Sequence, residues 1–285
     1  MQELNHVSET AHWVACYRAL EADTALPLFI DPYAKSLAGE LGFNFLKNLP
    51  FAQVLSSLFV VRTKVIDEII TELLTNSNIK VVINLGAGLD TRPYRLSIPT
   101  TIQWIEIDQH SILEFKNKTL SKHQAFCPIK HVGIDHFNPI QLKNLLDLEL
   151  DDNSDVLFIT EGVLPYLNQE EILQTIHLIS NTKGIRIYWV SDIVKPLLVS
   201  ILGYFWNPIF KRMNFQFQTG FKNDTDFAKQ HFKTVKSISL IESMIHFKKV
   251  PKILKFFIFT SKFWIKSIKN WYFSLSRVCL FIREN

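Results

Sequence analysis

Five short apolar runs that alternate with helical stretches constrain this chain more than any other feature of it. The runs are KVVINLG (80–86), IQWIEI (102–107), IKHVGI (129–134), DVLFITE (155–161) and IRIYWVS (185–191). Between them, 109–122, 138–148 and 168–181 read as helical or irregular. Runs that stay apolar without alternation belong to strands buried on both faces. Joined by helices, they predict an α/β architecture: a mostly parallel sheet with helices on both faces. Two further strand-like runs come late, TVKSISLI (234–241) and SRVCLFI (276–282).

Upstream, 8–26 predicts a helix that Ser8 or Thr10 could cap. Pro27 and Pro32 then break the pattern, and Gly39 is expected to stop a short helix. Residues 51–78 predict a long amphipathic helix, because Val54, Leu58, Val61, Val65 and Ile69 recur at helical spacing. With no internal repeat and no Gly/Ser linker, one domain is expected over 1–285. It divides into a helical cap (1–78), a ligand-binding core (79–195) and a C-terminal elaboration (196–285).

Composition excludes several classes. A hydrophobic share of 47% and a charged share of 20% rule against wholesale disorder. A net charge of +4 is too mild to imply nucleic acid, and none is expected as a partner. Cys16, Cys127 and Cys279 are far apart, which suits reduced thiols and a cytoplasmic location. The nine histidines form no ligand-spaced pair, so no metal is expected. The opening MQELNHVSETAHW lacks the pattern of a secretory signal, and no apolar run reaches the ~18 residues of a spanning helix.

The first run ends in Gly86-Ala87-Gly88. Glycines after a strand let backbone approach a ligand beyond the sheet's carboxyl edge. A dinucleotide turn wants a third glycine, and here Thr91 stands in that place, which favours a smaller nucleoside ligand. Asp108 ends the second run about twenty residues on, where an acid can accept from both ribose hydroxyls. Asp135 and Glu161 end the third and fourth runs. Acids gathered on one edge repel one another unless a cationic or donor-rich ligand is present. Alternatively, each acid caps the helix that follows it.

In order along the chain, SETAHWVACYRALEA, LFIDPYAKSLAG, VVRTKVIDEII, VVINLGAGLDTRPYRL, WIEIDQHSILEFKNKTL and TEGVLPYL resemble the S-adenosylmethionine-dependent methyltransferases of the leucine carboxyl methyltransferase family. That family includes polyketide-associated O-methyltransferases. The likeness covers roughly 8–192 and implies a class I methyltransferase (Rossmann-like) fold with S-adenosyl-L-methionine as cofactor. By resemblance, Arg62 reaches the cofactor carboxylate and Gly86, with Gly88, forms the turn against its methionine part. Asp108 is the ribose acid, Asp135 and His136 lie near the adenine, and Glu161 lies near the cofactor amino group. Arg18 matches a basic cap residue at the cofactor. Asp90, Thr91 and Arg92 are expected to brace the turn, with Arg92 and Arg95 pairing with Asp90, Glu106 or Asp108.

A methyl group on sulfonium needs in-line placement rather than a strong base. No catalytic residue is therefore assigned; Tyr166 and His136 are acceptor-side candidates, Tyr166 being as well suited to packing. The expected reaction is methyl transfer to a carboxylate or hydroxyl of a small molecule. The alternatives are a protein C-terminal carboxyl methyltransferase and a non-catalytic, cofactor-binding protein of the membrane surface.

No family motif is found in 196–275. Within 243–274 seven lysines interleave with aromatic residues and no Asp or Glu occurs. That pattern suits either a peripheral membrane contact or a helix pair packed on the core with its lysines in water.

Overall fold

The structure is a computed structural model, and it describes residues 8–47, 49, 52–134, 139–210, 216–223, 228–260 and 266–284. Asp135 and His136, two of the expected site residues, lie outside the described residues.

The chain opens with α1 (Ser8–Ala22) and α2 (Ala34–Lys47). Gly39 does interrupt α2, with non-helical backbone at φ 56°, but the helix resumes beyond it as far as Lys47. Next come α3 (Ala52–Asn76), β1 (Ile79–Leu85) and the single turn α4 (Arg92–Arg95). The core continues as β2 (Gln103–Asp108), α5 (His110–Leu120), β3 (Ile129–Gly133), α6 (Pro139–Glu149), β4 (Asp155–Thr160), α7 (Gln169–Ser180) and β5 (Arg186–Val194). The chain then forms α8 (Pro196–Phe210), β6 (Lys233–Ser239), α9 (Leu240–His246), α10 (Lys252–Thr260), α11 (Lys266–Phe273) and β7 (Ser276–Glu284).

Among the described residues seven strands form one sheet in the order β3-β2-β1-β4-β5-β7-β6. Strands β1 to β5 pair in parallel, and β7 runs antiparallel between β5 and β6. The order reverses direction between β1 and β4, so a crevice opens at the carboxyl ends of those two strands. All six residues of β4 are buried, as expected of a central strand covered on both sides.

Side chains alternate between two cores. Val156 and Phe158 join Leu142, Leu146, Ile172 and Ile176 of α6 and α7 on one face. Leu157 and Ile159 join Val61, Val65, Ile66 and Ile69 of α3 on the other. Helix α3 thus serves two layers: Val61, Val65, Ile66 and Ile69 pack on the sheet, while Leu55, Phe59 and Val60 pack with Trp13 and Tyr17 of α1. Helix α7 has a full capping box, in which Asn168 accepts from the Glu171 amide and Glu171 from the Asn168 amide.

Candidate functional site

The crevice at the carboxyl edge holds a cavity of about 280 Å³. The turn after β1, the end of β2, the turn after β4 and residues of α1 and α3 line it. That is small against typical small-molecule pockets of roughly 300–1,000 Å³. Arg18, Arg62, Gly86, Gly88, Asp108, Glu161 and Tyr166 all line it, so every described site residue expected from sequence converges there.

Gly86 sits at φ 68°, and a Cβ added to it would come within 2.6 Å of Val163. Both the backbone and the space demand glycine at this position. Its amide donates to the Ile107 carbonyl (2.8 Å), which ties the turn to β2. The Gly88 amide donates to Asp108 Oδ2 (2.6 Å), and the Gln109 amide donates to Oδ1 (2.7 Å). Burial raises the Asp108 carboxyl above its ordinary value even though both amide bonds pull the other way. Beside it, Gln109 Oε1 is buried and has no hydrogen-bond partner among the described residues.

Arg62 stands across the cavity on α3. Its Nε donates to Glu161 (3.0 Å), its Nη1 donates to Asp192 (2.9 Å), and its guanidinium lies over the Phe59 ring. No bond of Nη2 is formed within the described residues. Gly162, at φ 66°, passes so close that a Cβ there would meet both terminal nitrogens at 3.2 Å. The Gly162 amide donates to Asp192 Oδ1 (2.6 Å), which fixes the turn and the arginine through one carboxylate.

Behind the turn lies a cluster whose charges meet one another, with Asp90, Arg92 and Arg95 reaching the cavity wall. Arg92 Nε donates to Asp67 (2.7 Å), Nη1 to Asp90 (2.9 Å) and Nη2 to Glu161 (2.7 Å). Arg95 makes a two-pronged contact with Asp67 (2.6 and 2.9 Å). Thr91 is fully buried and donates to Asp31 (2.6 Å), which also accepts from Arg18 Nε (2.9 Å). Arg18 Nη2 reaches the Leu89 carbonyl (2.5 Å). Burial raises the Glu161 carboxyl, but Arg92 and Arg62 outweigh it and hold it below its ordinary value.

Two expectations are corrected here. Of the three acids expected to meet the bracing arginines, Asp90 does meet Arg92 (2.9 Å), whereas Glu106 pairs with Lys116 (2.6 Å) and His131 (3.0 Å) and Asp108 accepts backbone amides. Nor does the charge of Glu161 wait for a cationic ligand, because two arginines already meet it. Helix capping does not explain that acid either, since it bonds guanidinium groups rather than helix amides. Sequence reasoning passed over Asp31, Asp67, Gln109 and Asp192. Asp67 could have been found: with Val60, Thr63 and Ile70 it shares the helical spacing of a buried stripe, where an acid demands a partner.

Tyr166 lies in a short 3₁₀ turn (Leu164–Tyr166), with its ring 4.8 Å from that of Phe217. Burial raises its phenol well above the ordinary value, so it stays protonated at neutral pH. Among the described residues there is no cluster of metal-ligating type, and no described helix is long and apolar enough to cross a membrane.

The sheet order, the crevice and the turn place the molecule in the class I methyltransferase fold. Solved structures share it: a DUF574 family protein from Streptomyces avermitilis has a TM-score of 0.59 at 11% identity, covering 95% of this chain and 97% of that one. An O-methyltransferase family protein from Burkholderia thailandensis has 0.51 at 10% identity, covering 98% and 71%. The leucine carboxyl methyltransferase family model matches residues 11–180, and the chain belongs to that family. A Mycobacterium tuberculosis relative, provisionally named an S-adenosyl-L-methionine-dependent methyltransferase, is 33% identical over 175 residues, 56% of this chain and 57% of that protein. A Mycobacterium bovis relative with the same name is 32% identical over 178 residues, 58% and 54%. The chain thus matches a little over half the length of these relatives.

Proposed function

We propose that this chain is an S-adenosylmethionine-dependent O-methyltransferase acting on a carboxylate or hydroxyl of a small molecule. The observation that carries the reading is the set of polar groups around one cavity that keep bonding capacity to spare. The Asp108 carboxylate, raised by burial, and the orphaned Gln109 Oε1 call for donors such as ribose hydroxyls and an adenine amine. Arg62 Nη2 calls for an acceptor such as a carboxylate. A nucleoside with an amino-acid tail answers all three. The left-handed Gly86 leaves the turn bare of side chain where such a tail would lie. The family and the names of its relatives point the same way.

When bound, the cofactor supplies a methyl group already activated by positive sulfur. The chain holds and orients the reactants and excludes water. Trp13 and Phe59 give the cavity an aromatic wall, so an acceptor oxygen beside it is stripped of water. Tyr166, kept protonated, can donate a hydrogen bond that positions an anionic acceptor. A carboxylate acceptor needs no base; for a hydroxyl acceptor, His136 is the candidate. Three buried free cysteines suit a reducing cytoplasm, which belongs to the same reading.

The test has two stages. Native mass spectrometry of freshly purified protein should find S-adenosyl cofactor bound. A labelled-methyl screen over carboxylic acids and phenols should then give base-labile esters or stable ethers. Tight cofactor binding with no transfer to any oxygen acceptor would sink the enzymatic part. Labelling of nitrogen or carbon acceptors alone would correct the chemistry.

A further inference from the structure

We propose that α8, together with α10 and α11, is a docking surface for an anionic lipid bilayer. The first observation is α8. It carries no charged residue, and its two faces are both apolar. The inward face is used: Leu202 and Trp206 pack with Trp13 and Phe59, the aromatic wall of the cavity. The outward face is left in water. Leu197 is 44% exposed, Ile201 45%, Tyr204 79% and Phe205 40%, and they recur at the three- and four-residue spacing of one helical stripe. A helix that is apolar all round belongs in a core or in lipid, and this one is half in a core.

The second observation lies in α10 and α11. Their segment, 243–274, holds seven of the chain's 31 basic residues and none of its 27 acidic ones. The remainder of the chain is therefore net acidic, and the positive charge is concentrated here, with Lys249 alone of the described lysines in the segment shown paired, to Glu21 (2.7 Å). Lys252, Lys255 and Lys266 are exposed, and so are Phe256 (69%), Ile268 (49%) and Trp271 (47%). Lysine interleaved with large apolar side chains is the pattern of a helix lying in the headgroup region. Lys262, Phe263 and Trp264 lie outside the described residues, as do the side chains of Phe257, Phe259 and Lys269.

The two parts meet. The Lys195 amide, at the start of α8, donates to the Leu275 carbonyl just after α11 (2.9 Å). Both helices attach where β5 ends and β7 begins, and β5 ends on the same edge of the sheet as the cavity. Charge selects the occupant. A second copy of this chain would set lysine against lysine across a two-fold contact. A nucleic acid would answer the lysines but leave Leu197, Ile201 and Ile268 in water. An anionic bilayer answers both, with phosphates for the lysines and acyl chains for the stripe. The lysines on the outer surface thus have a partner in view, and the alternative in which they merely form the wet face of a packed pair leaves the α8 stripe unexplained.

Vesicle sedimentation tests the proposal on the whole chain. At low salt the protein should sediment with phosphatidylcholine vesicles that contain phosphatidylglycerol, and not with pure phosphatidylcholine. Lys252→Gln/Lys255→Gln should weaken binding by about fivefold for each lysine removed. Ile201→Ser/Tyr204→Ser should weaken it by tenfold or more while circular dichroism and cofactor binding stay as in wild type. No sedimentation of the wild type with anionic vesicles overturns the proposal. So does wild-type binding by the apolar variant, which would leave charge alone. A shift of oligomeric mass in that variant, with no vesicle binding by the wild type, would assign the stripe to a second copy instead.

Discussion

The two sides of the glycine turn differ in how completely their polar groups are met. Behind it, Arg92 gives all three guanidinium nitrogens to Asp67, Asp90 and Glu161, and Arg95 grips Asp67 again. In front of it, Arg62 Nη2, the Asp108 carboxylate and Gln109 Oε1 face a cavity. Glu161 belongs to both sides, since one oxygen goes to each arginine. A buried polar cluster that satisfies itself fixes a shape. One that stays incomplete awaits a ligand. The same residue types thus do different work on the two sides of one turn, and substitutions should separate them.

The largest effect is expected behind the turn. Arg92→Ala takes the shared cation from three buried carboxylates, leaving Asp67 to Arg95 and Glu161 to Arg62 but Asp90 without its ion pair, and should cost about 3–5 kcal/mol of stability. Urea denaturation reads it, and an unchanged midpoint would mean that the cluster does not hold the fold. In front, Asp108→Ala should leave the urea midpoint near wild type but lower cofactor affinity by about a hundredfold. That corresponds to losing hydrogen bonds to a charged group at about 1.5–3 kcal/mol each. Calorimetry showing wild-type affinity would remove Asp108 from the site.

A smaller effect is expected of Arg62→Lys. It keeps a cation beside Glu161 and Asp192 but loses the planar fork, and about a tenfold loss of cofactor affinity should follow. Equal affinity would mean that Nη2 touches no ligand.

The mildest test is pH. The Asp108 carboxyl lies above its ordinary value in the folded state, so it takes up a proton earlier than a normal aspartate as pH falls. Protonation removes the acceptor, and cofactor affinity should drop at mildly acidic pH. The same proton stabilises the fold, because a raised carboxyl favours the neutral form. Asp31, Asp90 and Glu161 have the opposite sign. Burial raises all three, but Arg18 and Arg95, Arg92, and Arg92 with Arg62 respectively outweigh it and hold them low. Their stabilisation is complete above the ordinary carboxylate value and is lost only as pH falls through the depressed ones. Binding should therefore fail at higher pH than folding does, as calorimetry and circular dichroism can compare. Coincident midpoints would erase the distinction between the two sides.

The front of the turn was legible in the sequence because its parts are local to strand ends. An apolar run closing on glycine or an acid marks the edge of a parallel sheet wherever it occurs, so Gly86, Asp108 and Glu161 announce themselves. The back was only half legible. Arg92 and Arg95 stand beside the glycines, but Asp67 lies 25 residues from Arg92, within what reads as a helix stripe. In front, too, one part was hidden: Asp192 is 130 residues from its partner Arg62 and lies inside an apolar strand, and only the pairing of β4 with β5 sets it beside Gly162. The C-terminal strands were readable as runs, whereas their antiparallel order is a property of the whole sheet.

Thr91, where a dinucleotide turn would have its third glycine, has one more consequence. Through Asp31 it bolts the roof of the cavity to its floor, and Arg18 drives a second bolt from α1 into the Leu89 carbonyl. Loosening either bolt should be felt at both ends, as faster amide exchange in α1 and in the turn together.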